Sequence, residues 1–302
     1  MLTWNGYAVA RKCLETLPIL DGWPIPVAVV DNGSATQEGA RLAKEFGAPV
    51  ESVRLDPNRG VSGGYNAGIR WAANRGFSHV LLLNNDVLMI DRALLCRLVD
   101  AAGPDVAAVA PLTLTREGAV YSAGGTVSWW TGLSRHRHVP LVPDSPYDAA
   151  WLDGPCLLLS IAAARAIGGL EESFSSYWED ADWCVRATRA GWRCVVEPRA
   201  RVIHLRGATN LASAAEAIHL RNRFLFLRRN GSLRVNVISM LFFLGVHVPV
   251  FLARRVRPPD RLRSAVGAVV GALDWNIRDA IRRRSWRLPA SGPDVGVPDN
   301  AL

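Results

Sequence analysis

The chain has 302 residues, 49% of them hydrophobic and 21% charged, which excludes a disordered or fibrous protein because such a chain can bury a substantial core. The net charge of +8 is local, since ten arginines stand against three aspartates between residues 254 and 287. The five cysteines are scattered and never spaced C-x-x-C, so neither a disulfide framework nor a zinc cage is predicted, and a reducing cytosol fits best. The opening segment lacks a basic leader followed by an apolar run, which argues against export.

The first third of the chain alternates short apolar strands with helical patterns. The predicted strands are 26–31, 52–56, 79–84 and 106–111, and the predicted helices are near 36–47, 62–74 and 91–102. This alternation predicts an α/β fold with a parallel sheet covered by helices on both faces. Polar residues follow three of these strands, and we expect them to converge at one edge because ligands bind at the carboxyl ends of parallel strands.

After residue 112 the pattern changes to hairpin-like pieces and a loop from about 132 to 149. A strand at 156–160 precedes a short helix, and the acidic run at 179 opens a helix that reaches Gly191. RCVVE and RVIHL predict two further strands, and 214–230 predicts a helix. The tryptophans at 129, 130 and 151 predict either core packing or a stacking surface for a ligand.

Residues 235–253 carry no charge and are flanked by Arg234 and by the arginines at 254 and 255. At about 1.5 Å per residue the segment is roughly 28 Å long, just short of the hydrocarbon width of a bilayer. Polar and helix-breaking residues inside it weaken the case for a simple span. An interfacial helix or shallow hairpin, a true span and a buried core helix all stay open.

Asp86 follows a buried strand beside Asn84 and Asn85. A carboxylate there can bind Mg²⁺ or Mn²⁺, which prefer hard oxygen ligands, although Asn-Asn-Asp also ends strands simply as a turn.

The stretch NRGVSGGYNAGIRWA at 58–72 places four glycines ahead of and inside a helical pattern. A helix N-terminus attracts phosphate, and glycine lets the backbone approach a ligand. The spacing matches neither a Rossmann fingerprint nor a P-loop. The alternative is that the glycines pack the helix on the sheet.

Glu179-Asp180-Ala181-Asp182 begins a predicted helix. Acids there complement the helix dipole, which is one interpretation. The other is catalysis, because crowded carboxylates raise at least one pKa toward neutrality, as a general base requires. The sequence does not say which one is raised. His204 ends a strand and predicts either a metal ligand or a structural histidine.

Taken in order, these motifs resemble the family 2 glycosyltransferases with the GT-A fold, and within them the bacterial rhamnosyltransferase-like group of cell-surface polysaccharide synthesis. The resemblance covers about residues 1–230, and Thr3-Trp4-Asn5-Gly6 matches the group's first strand and turn. The other segments that carry it are VDNGS at 30–34, NRGVSGGYNAGI at 58–69, LLLNNDV at 81–87, GPCLLLS before YWEDADWCVRATRAGW at 177–192, and VIH at 202–204.

The resemblance implies a role for each matching residue. Asp31 would hold the base or ribose of the nucleotide, with Thr3 and Asn5 beside it, and Arg59, Asn66 and Asn85 would complete the donor pocket. Asp86 would bind Mg²⁺ or Mn²⁺ as the last acid of a DxD-type motif whose first Asp is replaced by Asn84, and His204 would be the late metal ligand. Asp180 would be the catalytic base and Glu179 its supporting neighbour.

The implied activity is inverting, metal-dependent transfer of a sugar, with rhamnose a candidate, from a dTDP- or UDP-linked donor to a hydroxyl of a glycan or lipid-linked acceptor. The implied organisation is a catalytic domain at 1–230, an apolar and basic membrane-associating appendage at 231–287 and a disordered tail at 288–302. The protein would be cytoplasmic and peripheral to the inner face of the membrane. The alternatives are a non-catalytic nucleotide-sugar-binding protein and a glycosyltransferase with a small-molecule acceptor. Nucleic-acid binding is disfavoured because no such motif accompanies the arginines.

Overall fold

The structure is a computed structural model that describes residues 1–136, 143–205 and 212–253, together with 266, 267, 269–271, 273, 274 and 278. The predicted disordered tail at 288–302, most of the basic segment at 254–287 and the middle of the predicted loop at 132–149 lie outside the described residues. Two compact units divide the chain: Met1–Val127 with Ser134–Asn210, and Ser128–Leu133 with Leu211–Leu302. The resemblance implies a catalytic domain that ends near residue 230, and that boundary stays a prediction.

Strands and helices alternate through the first half of the chain, as the periodicity predicts. The strands are β1 (Leu2–Thr3), β2 (Val27–Asn32), β3 (Val50–Leu55), β4 (His79–Leu83), β5 (Val87–Met89), β6 (Val106–Leu114), β7 (Val120–Ser122), β8 (Gly125–Ser128), β9 (Leu133–His136), β10 (Tyr147–Asp148), β11 (Cys156–Ser160) and β12 (Arg193–His204). The helices are α1 (Tyr7–Thr16), α2 (Glu38–Phe46), α3 (Gly60–Asn74), α4 (Leu94–Ala101), α5 (Ile161–Ile167), α6 (Glu179–Arg189), α7 (Ala212–Asn230), α8 (Leu233–Phe242) and α9 (Val248–Ala253). Short 3₁₀ turns occupy Leu17–Ile19 and Glu172–Phe174, and a π-helical turn, Phe243–His247, joins α8 to α9.

The strands form two main sheets that meet at the end of β4. The first sheet is parallel in the order β1–β2–β3, and every residue of β2 is buried because it is the central strand and α2 and α3 pack against it. The second has the order β10–β12–β6–β11–β4. A parallel bridge between Leu2 and Asn84 brings β1 beside the end of β4.

The α/β fold class is confirmed, but the second sheet is mixed rather than parallel throughout. β6 and β12 run parallel, whereas β11 is antiparallel to both β4 and β6. β5 and β10 also pair antiparallel with β12, and β7 pairs antiparallel with β6. Apolar periodicity reports burial and not strand direction, so these pairings could not be read from the sequence.

Two predicted boundaries differ from the structure. RCVVE and RVIHL belong to one strand, β12, whose pairing with β6 shifts register between Glu197 and Arg201. The hairpin-like pieces predicted after residue 112 belong to different sheets, since β7 joins β6 and β8 pairs with β9.

The core of the first unit packs α1, α2 and α4 against the sheets. Each aliphatic side chain that is fully buried there stabilises the unit by roughly 1.5–3 kcal/mol. Its buried members include Leu14, Val29, Leu42, Val87, Leu98, Val109, Val195 and Val202.

The second unit has its own small core, in which Phe224 of α7 meets Phe243 edge-on with ring centroids 4.7 Å apart. Leu233–Val250 is long and apolar enough to cross a membrane by length and composition, and only 11% of it is buried. One face of this segment, with Ser239 and Phe243, is fully buried. The opposite face exposes Leu233, Val237, Leu241 and Leu244. The segment is therefore not a buried core helix.

Candidate functional site

The turn Asn84-Asn85-Asp86 lies where β4 ends and β5 begins. The Asn84 backbone N–H donates to the Pro155 carbonyl at 2.8 Å, which ties the turn to the start of β11. Asn85 and Asp86 line a cleft of about 220 Å³ whose other wall is the segment from Trp4 to Val9. The polar end of a buried strand thus opens onto a cleft at the carboxyl edge of the sheet, where α/β proteins bind ligands.

Asp86 and His204 lie together at this edge. His204 Nε2 is 3.2 Å from Asp86 Oδ1, and both side chains are about seven-eighths buried. β12 runs antiparallel to β5 with His204 opposite Val87, and the Leu205 N–H donates to the Asp86 carbonyl at 2.9 Å. The predicted meeting of these two residues is therefore a consequence of strand pairing.

The pair fits a divalent cation as part of a donor set. A carboxylate oxygen and an imidazole nitrogen are suitable ligand types, and His204 Nδ1 is buried without a hydrogen-bond partner among the described residues. Within that same part of the chain, no group of three or more His, Cys, Asp or Glu side chains gathers as a metal site. The remaining ligands would therefore have to come from a bound substrate or water.

Glu179 and Asp180 occupy the first turn of α6. Asp180 Oδ2 accepts a hydrogen bond from the Gly154 N–H at 3.1 Å, and Oδ1 accepts from the Ala181 N–H at 2.7 Å. Glu179 is 7% exposed, and its Oε2 has no hydrogen-bond partner among the residues described. The acids do bind amides near the helix start, as a capping role requires, but capping does not explain the buried free oxygen of Glu179.

Burial raises the pKa of both acids. It raises the pKa of Asp180 to about 6, and the amides of Ala181 and Gly154 limit that rise. Burial and then the charge of Asp180 raise the pKa of Glu179 to about 8, with Asp153 adding a smaller effect. Because two backbone N–H groups favour the ionised form of Asp180 and Glu179 Oε2 has no partner among the described residues, Asp180 is the more readily ionised of the two acids.

Tyr65 of α3 contacts the turn that carries Asp86 and the residue that binds Asp180. Its hydroxyl donates to Asn84 Oδ1 at 2.5 Å and is 3.4 Å from the Gly154 carbonyl oxygen. Burial raises the pKa of Tyr65 well above its ordinary value, and the charges of Glu179, Asp86 and Asp180 add to the rise. All three carboxyl groups are consequently within electrostatic reach of one phenol.

Asp31, Thr3 and Asn5 build the neighbouring loop. Asp31 is fully buried, and its oxygens accept hydrogen bonds from the Ser34 and Gly39 amides at 2.9 and 3.1 Å and contact Arg54 at 2.9 Å. Burial acts to raise the pKa of Asp31, but these donors outweigh it and lower the pKa. The side chain therefore shapes the loop, and a direct contact with a nucleotide stays a prediction.

Thr3 and Asn5 hold the same loop against the turn after β4. Thr3 Oγ1 accepts from Asn85 Nδ2 at 3.3 Å, and Asn5 Oδ1 accepts from the Ala35 N–H at 3.0 Å. Asn5 itself is exposed and lines the cleft with Asn85. These positions agree with a binding role, which no contact with a ligand tests.

Arg59 and Asn66 meet at Glu172. Arg59 forms an ion pair with Glu172 Oε2 at 2.7 Å, and Asn66 Nδ2 donates to Glu172 Oε1 at 3.1 Å. The Asn66 amide also exchanges two hydrogen bonds of 2.8 Å with the Leu170 backbone. Both side chains bind the 170–172 segment, and their donor-pocket role stays a prediction.

The glycine-rich start of α3 is used for packing. The Ser175 carbonyl accepts from the N–H groups of Val61 and Ser62 at 2.5 and 3.3 Å, so the chain itself occupies these first amides. A Cβ on Gly60 would lie 2.5 Å from the same carbonyl oxygen, and one on Gly64 would lie 2.3 Å from Leu2 Cδ1. Of the two interpretations of the glycines, close packing is the one that these contacts support.

Sequence reasoning missed Tyr65 and Glu172. Tyr65 lies in the glycine-rich stretch at 58–72, where the glycines are the distinctive residues. In a sequence, a tyrosine at such a position looks like an ordinary core residue. Glu172 lies in a short 3₁₀ turn that carries no pattern. The three tryptophans differ in their surroundings. Trp151 is buried, Trp129 stacks on Phe226 with ring centroids 5.5 Å apart, and Trp130 is 65% exposed.

A family model and two curated proteins match parts of this chain. Residues 1–138 match the model for glycosyl transferase family 2. N-acetylglucosaminyl-diphospho-decaprenol L-rhamnosyltransferase of Mycobacterium tuberculosis is 27% identical over 262 residues, which cover 75% of this chain and 82% of that protein. The low-salt glycan biosynthesis hexosyltransferase Agl10 of Haloferax volcanii is 27% identical over 169 residues, about half of each chain.

Solved structures share the fold at low identity. GalNAc-T7 with UDP, GalNAc and Mn²⁺ has a TM-score of 0.61 at 14% identity, covering 75% of this chain and 46% of that one. The mannosyltransferase PcManGT of Pyrobaculum calidifontis with GDP-Man and Mn²⁺ has a TM-score of 0.55 at 16% identity, covering 96% and 79%. S. aureus TarS has a TM-score of 0.54 at 14% identity, covering 90% and 79%. These three likenesses concern the GT-A fold.

Proposed function

We propose that this chain, whose residues 1–138 match the model for glycosyl transferase family 2, is a glycosyltransferase that moves a sugar from a nucleoside-diphosphate donor to a hydroxyl of a glycan or lipid-linked acceptor, with inversion. The observation that carries the proposal is a chain of contacts: the Tyr65 hydroxyl binds Asn84, in the turn that carries Asp86, and lies 3.4 Å from the carbonyl of Gly154, whose N–H binds Asp180. Sugar transfer needs residues that bind a cation beside the departing diphosphate and a base beside the attacking hydroxyl, on opposite sides of one carbon.

The donor side needs positive charge. When bound, a divalent cation such as Mg²⁺ or Mn²⁺ supplies that charge to the diphosphate leaving group. Asp86 and His204 are the residues that would hold it. Asn85 and Asn5 line the cleft on this side and can donate hydrogen bonds to oxygens of the donor.

The acceptor side needs a base that is ionised at neutral pH. Asp180, with a pKa of about 6, accepts the proton of the acceptor hydroxyl as the oxygen attacks the anomeric carbon. Glu179, protonated at the same pH, keeps a second negative charge away from Asp180. The attack comes from the face opposite the departing phosphate, so one displacement inverts the centre and no sugar-bound nucleophile is required.

Rhamnose from dTDP-rhamnose is the first sugar to test, and a lipid-linked diphospho-sugar the first acceptor. Support comes from the Mycobacterium tuberculosis relative, whose name gives both groups. Because this relative is only 27% identical, the test also includes UDP-linked sugars and glycan acceptors.

We also propose that the protein works at the cytoplasmic face of the membrane as a peripheral protein. The support is the exposed apolar face of α8, with Leu233, Val237 and Leu241, and the arginines that flank the segment in the sequence. An apolar face bordered by cations suits an anionic bilayer surface, where a lipid-linked acceptor resides.

The test is a nucleotide-release assay. Purified protein is incubated with dTDP-rhamnose or UDP-sugars and a membrane lipid extract, with Mn²⁺ or with EDTA. We expect nucleoside-diphosphate release that requires the extract and falls at least tenfold in EDTA. Donor binding without release under any acceptor would favour a non-catalytic binding protein, and full release in EDTA would remove the cation from the mechanism.

A further inference from the structure

The Asn84 amide stands at the position where the resemblance implies an aspartate. Its Oδ1 accepts the Tyr65 hydroxyl at 2.5 Å. Hydrogen bonds from O–H donors to oxygen are about 2.5–3.0 Å long, whereas those from N–H donors are about 2.7–3.2 Å. The short distance therefore assigns the oxygen of the amide, and not its nitrogen, to Tyr65.

Tyr65 is held rigidly enough to orient this amide. Its side chain is 5% exposed on α3, and the next residue of that helix, Asn66, is tied to the Leu170 backbone by two hydrogen bonds. Tyr65 has one hydroxyl proton, and the alternative acceptor, the Gly154 carbonyl, is 3.4 Å away. The proton consequently goes to Asn84.

The nitrogen of the Asn84 amide remains available. Nδ2 has no hydrogen-bond partner in the described parts of the chain, and it is not among the fully buried polar atoms. Asn84 does not itself line the cleft, but it directly precedes Asn85 and Asp86, which do. An N–H group at this position can donate a hydrogen bond to an oxygen of the substrate. An aspartate at the same position would instead bind a cation.

We propose that Tyr65 is a positioning residue that turns the Asn84 amide so that Nδ2 donates a hydrogen bond to a diphosphate or sugar oxygen of the donor. The inference rests on the proposed function, because it needs a nucleoside-diphosphate donor in this cleft. It makes Asn84 a binding residue for the donor and not a ligand of the cation.

A double-mutant cycle tests the inference. The variants Tyr65→Phe, Asn84→Ala and the double variant are compared by calorimetry for binding of dTDP and UDP in Mn²⁺. We expect Tyr65→Phe to weaken binding about 3- to 10-fold in the native background, as the loss of an oriented hydrogen bond does, and less than 2-fold in the Asn84→Ala background. Equal losses in both backgrounds would overturn the inference, because Tyr65 would then act independently of Asn84.

Asn84→Asp separates a donor from a metal ligand. Replacing the nitrogen with an oxygen should weaken nucleotide binding at least about 10-fold in Mn²⁺, whereas tighter binding would make residue 84 a cation ligand and overturn the inference. Tyr147→Phe is the matched control, since it also removes a hydroxyl that donates a hydrogen bond, in this case to the Ala123 carbonyl at 3.1 Å. We expect the control to bind within twofold of the native protein.

These experiments distinguish failure of the proposed function from failure of the inference about Tyr65. If the native protein binds neither nucleotide, the proposed function fails and the inference falls with it. If the native protein binds and the cycle is additive, only the inference fails. Thermal unfolding of each variant identifies a loss of folded protein, which would lower the fraction of binding sites and not their affinity.

Discussion

Glu179 and Asp180 are adjacent acids with different environments. Glu179 is almost fully buried with one oxygen unpartnered, whereas Asp180 receives two backbone N–H groups that favour its ionised form. Backbone donors stabilise a carboxylate, so the two pKa values separate to about 6 and about 8. This difference assigns the base role to Asp180 at neutral pH.

We predict that Asp180→Asn abolishes transfer while donor binding changes less than about threefold, because the amide keeps the shape but cannot accept the proton. Release of nucleoside diphosphate and calorimetric binding of the donor measure the two effects. Asp100→Asn, on the exposed end of α4, is the control and should leave both unchanged. Equal loss of binding and transfer would remove Asp180 from the base role.

A second prediction concerns the dependence of stability on pH. A carboxyl whose pKa is raised in the folded state binds a proton that the unfolded chain releases, so its contribution is present in acid and is lost as the pH rises through about 8. Glu179→Gln removes this titration. Relative to the native protein, the variant should gain about 2 kcal/mol in the free energy of unfolding between pH 6 and pH 9.

Urea unfolding at the two pH values measures this gain. Glu15→Gln, at an exposed ion pair with Arg11, serves as the control and should show almost no change with pH. A flat difference for Glu179→Gln would mean that this carboxyl is not protonated near neutrality.

Among the elements, α3 shows how glycine determines the approach of neighbouring segments. Gly60 has φ +71° and lies against the Ser175 backbone, whereas Gly76 has φ +76° with open space around its Cβ position. The two residues share a left-handed conformation and differ in their surroundings. Substituting both glycines therefore distinguishes the free energy of the left-handed conformation from the free energy of the close contact.

We predict that Gly76→Ala destabilises the protein by about 1 kcal/mol, the ordinary cost of a left-handed alanine. Gly60→Ala should cost at least about 2 kcal/mol, because the added methyl group also displaces the Ser175 carbonyl from the N–H groups of Val61 and Ser62. Urea unfolding of both variants measures the difference. Equal destabilisation would show that the contact at Gly60 relaxes without cost.

The α8 helix buries a polar residue and exposes apolar ones, which is the reverse of an amphipathic helix on a soluble protein. Ser239 is fully buried and lies 3.5 Å from the Arg223 guanidinium, whereas Val237 and Leu241 are 50% and 66% exposed. A helix in water normally buries its apolar stripe, so an exposed one marks a surface that another apolar phase covers.

We predict that Val237→Glu lowers binding to anionic phospholipid vesicles by about tenfold, since a charge on the exposed stripe opposes its burial in the interface. Vesicle co-sedimentation measures the bound fraction. Val99→Glu is the matched control, because Val99 is 53% exposed on α4 of the other unit. The membrane proposal would be refuted if the two variants bound vesicles equally.

At the scale of the molecule, the site is a product of strand pairing between distant segments. Asp86 and His204 meet because β5 pairs antiparallel with β12, and the two sheets meet because Leu2 bridges to Asn84. Gly154, which contacts both Tyr65 and Asp180, precedes β11, the strand between β4 and β6. Each of these contacts joins residues that are remote in the sequence.

The sequence by itself determined the α/β class, the bounds of β2, β4 and β11 to within a residue or two, and the short segments from which the site is built. Apolar runs and helical periodicity are local properties, so they can be read without the fold. The motif order was also enough to predict that Asp86 and His204 approach each other.

Only the tertiary structure decided the direction of β11, the single strand made of RCVVE and RVIHL, and the division of the chain after Asn210. It also decided which acid receives backbone N–H groups, and that Tyr65 and Gly154 connect the turn of Asp86 to Asp180. The physical reason is that burial, strand direction and hydrogen-bond geometry depend on neighbours from remote parts of the chain, and no local pattern records them.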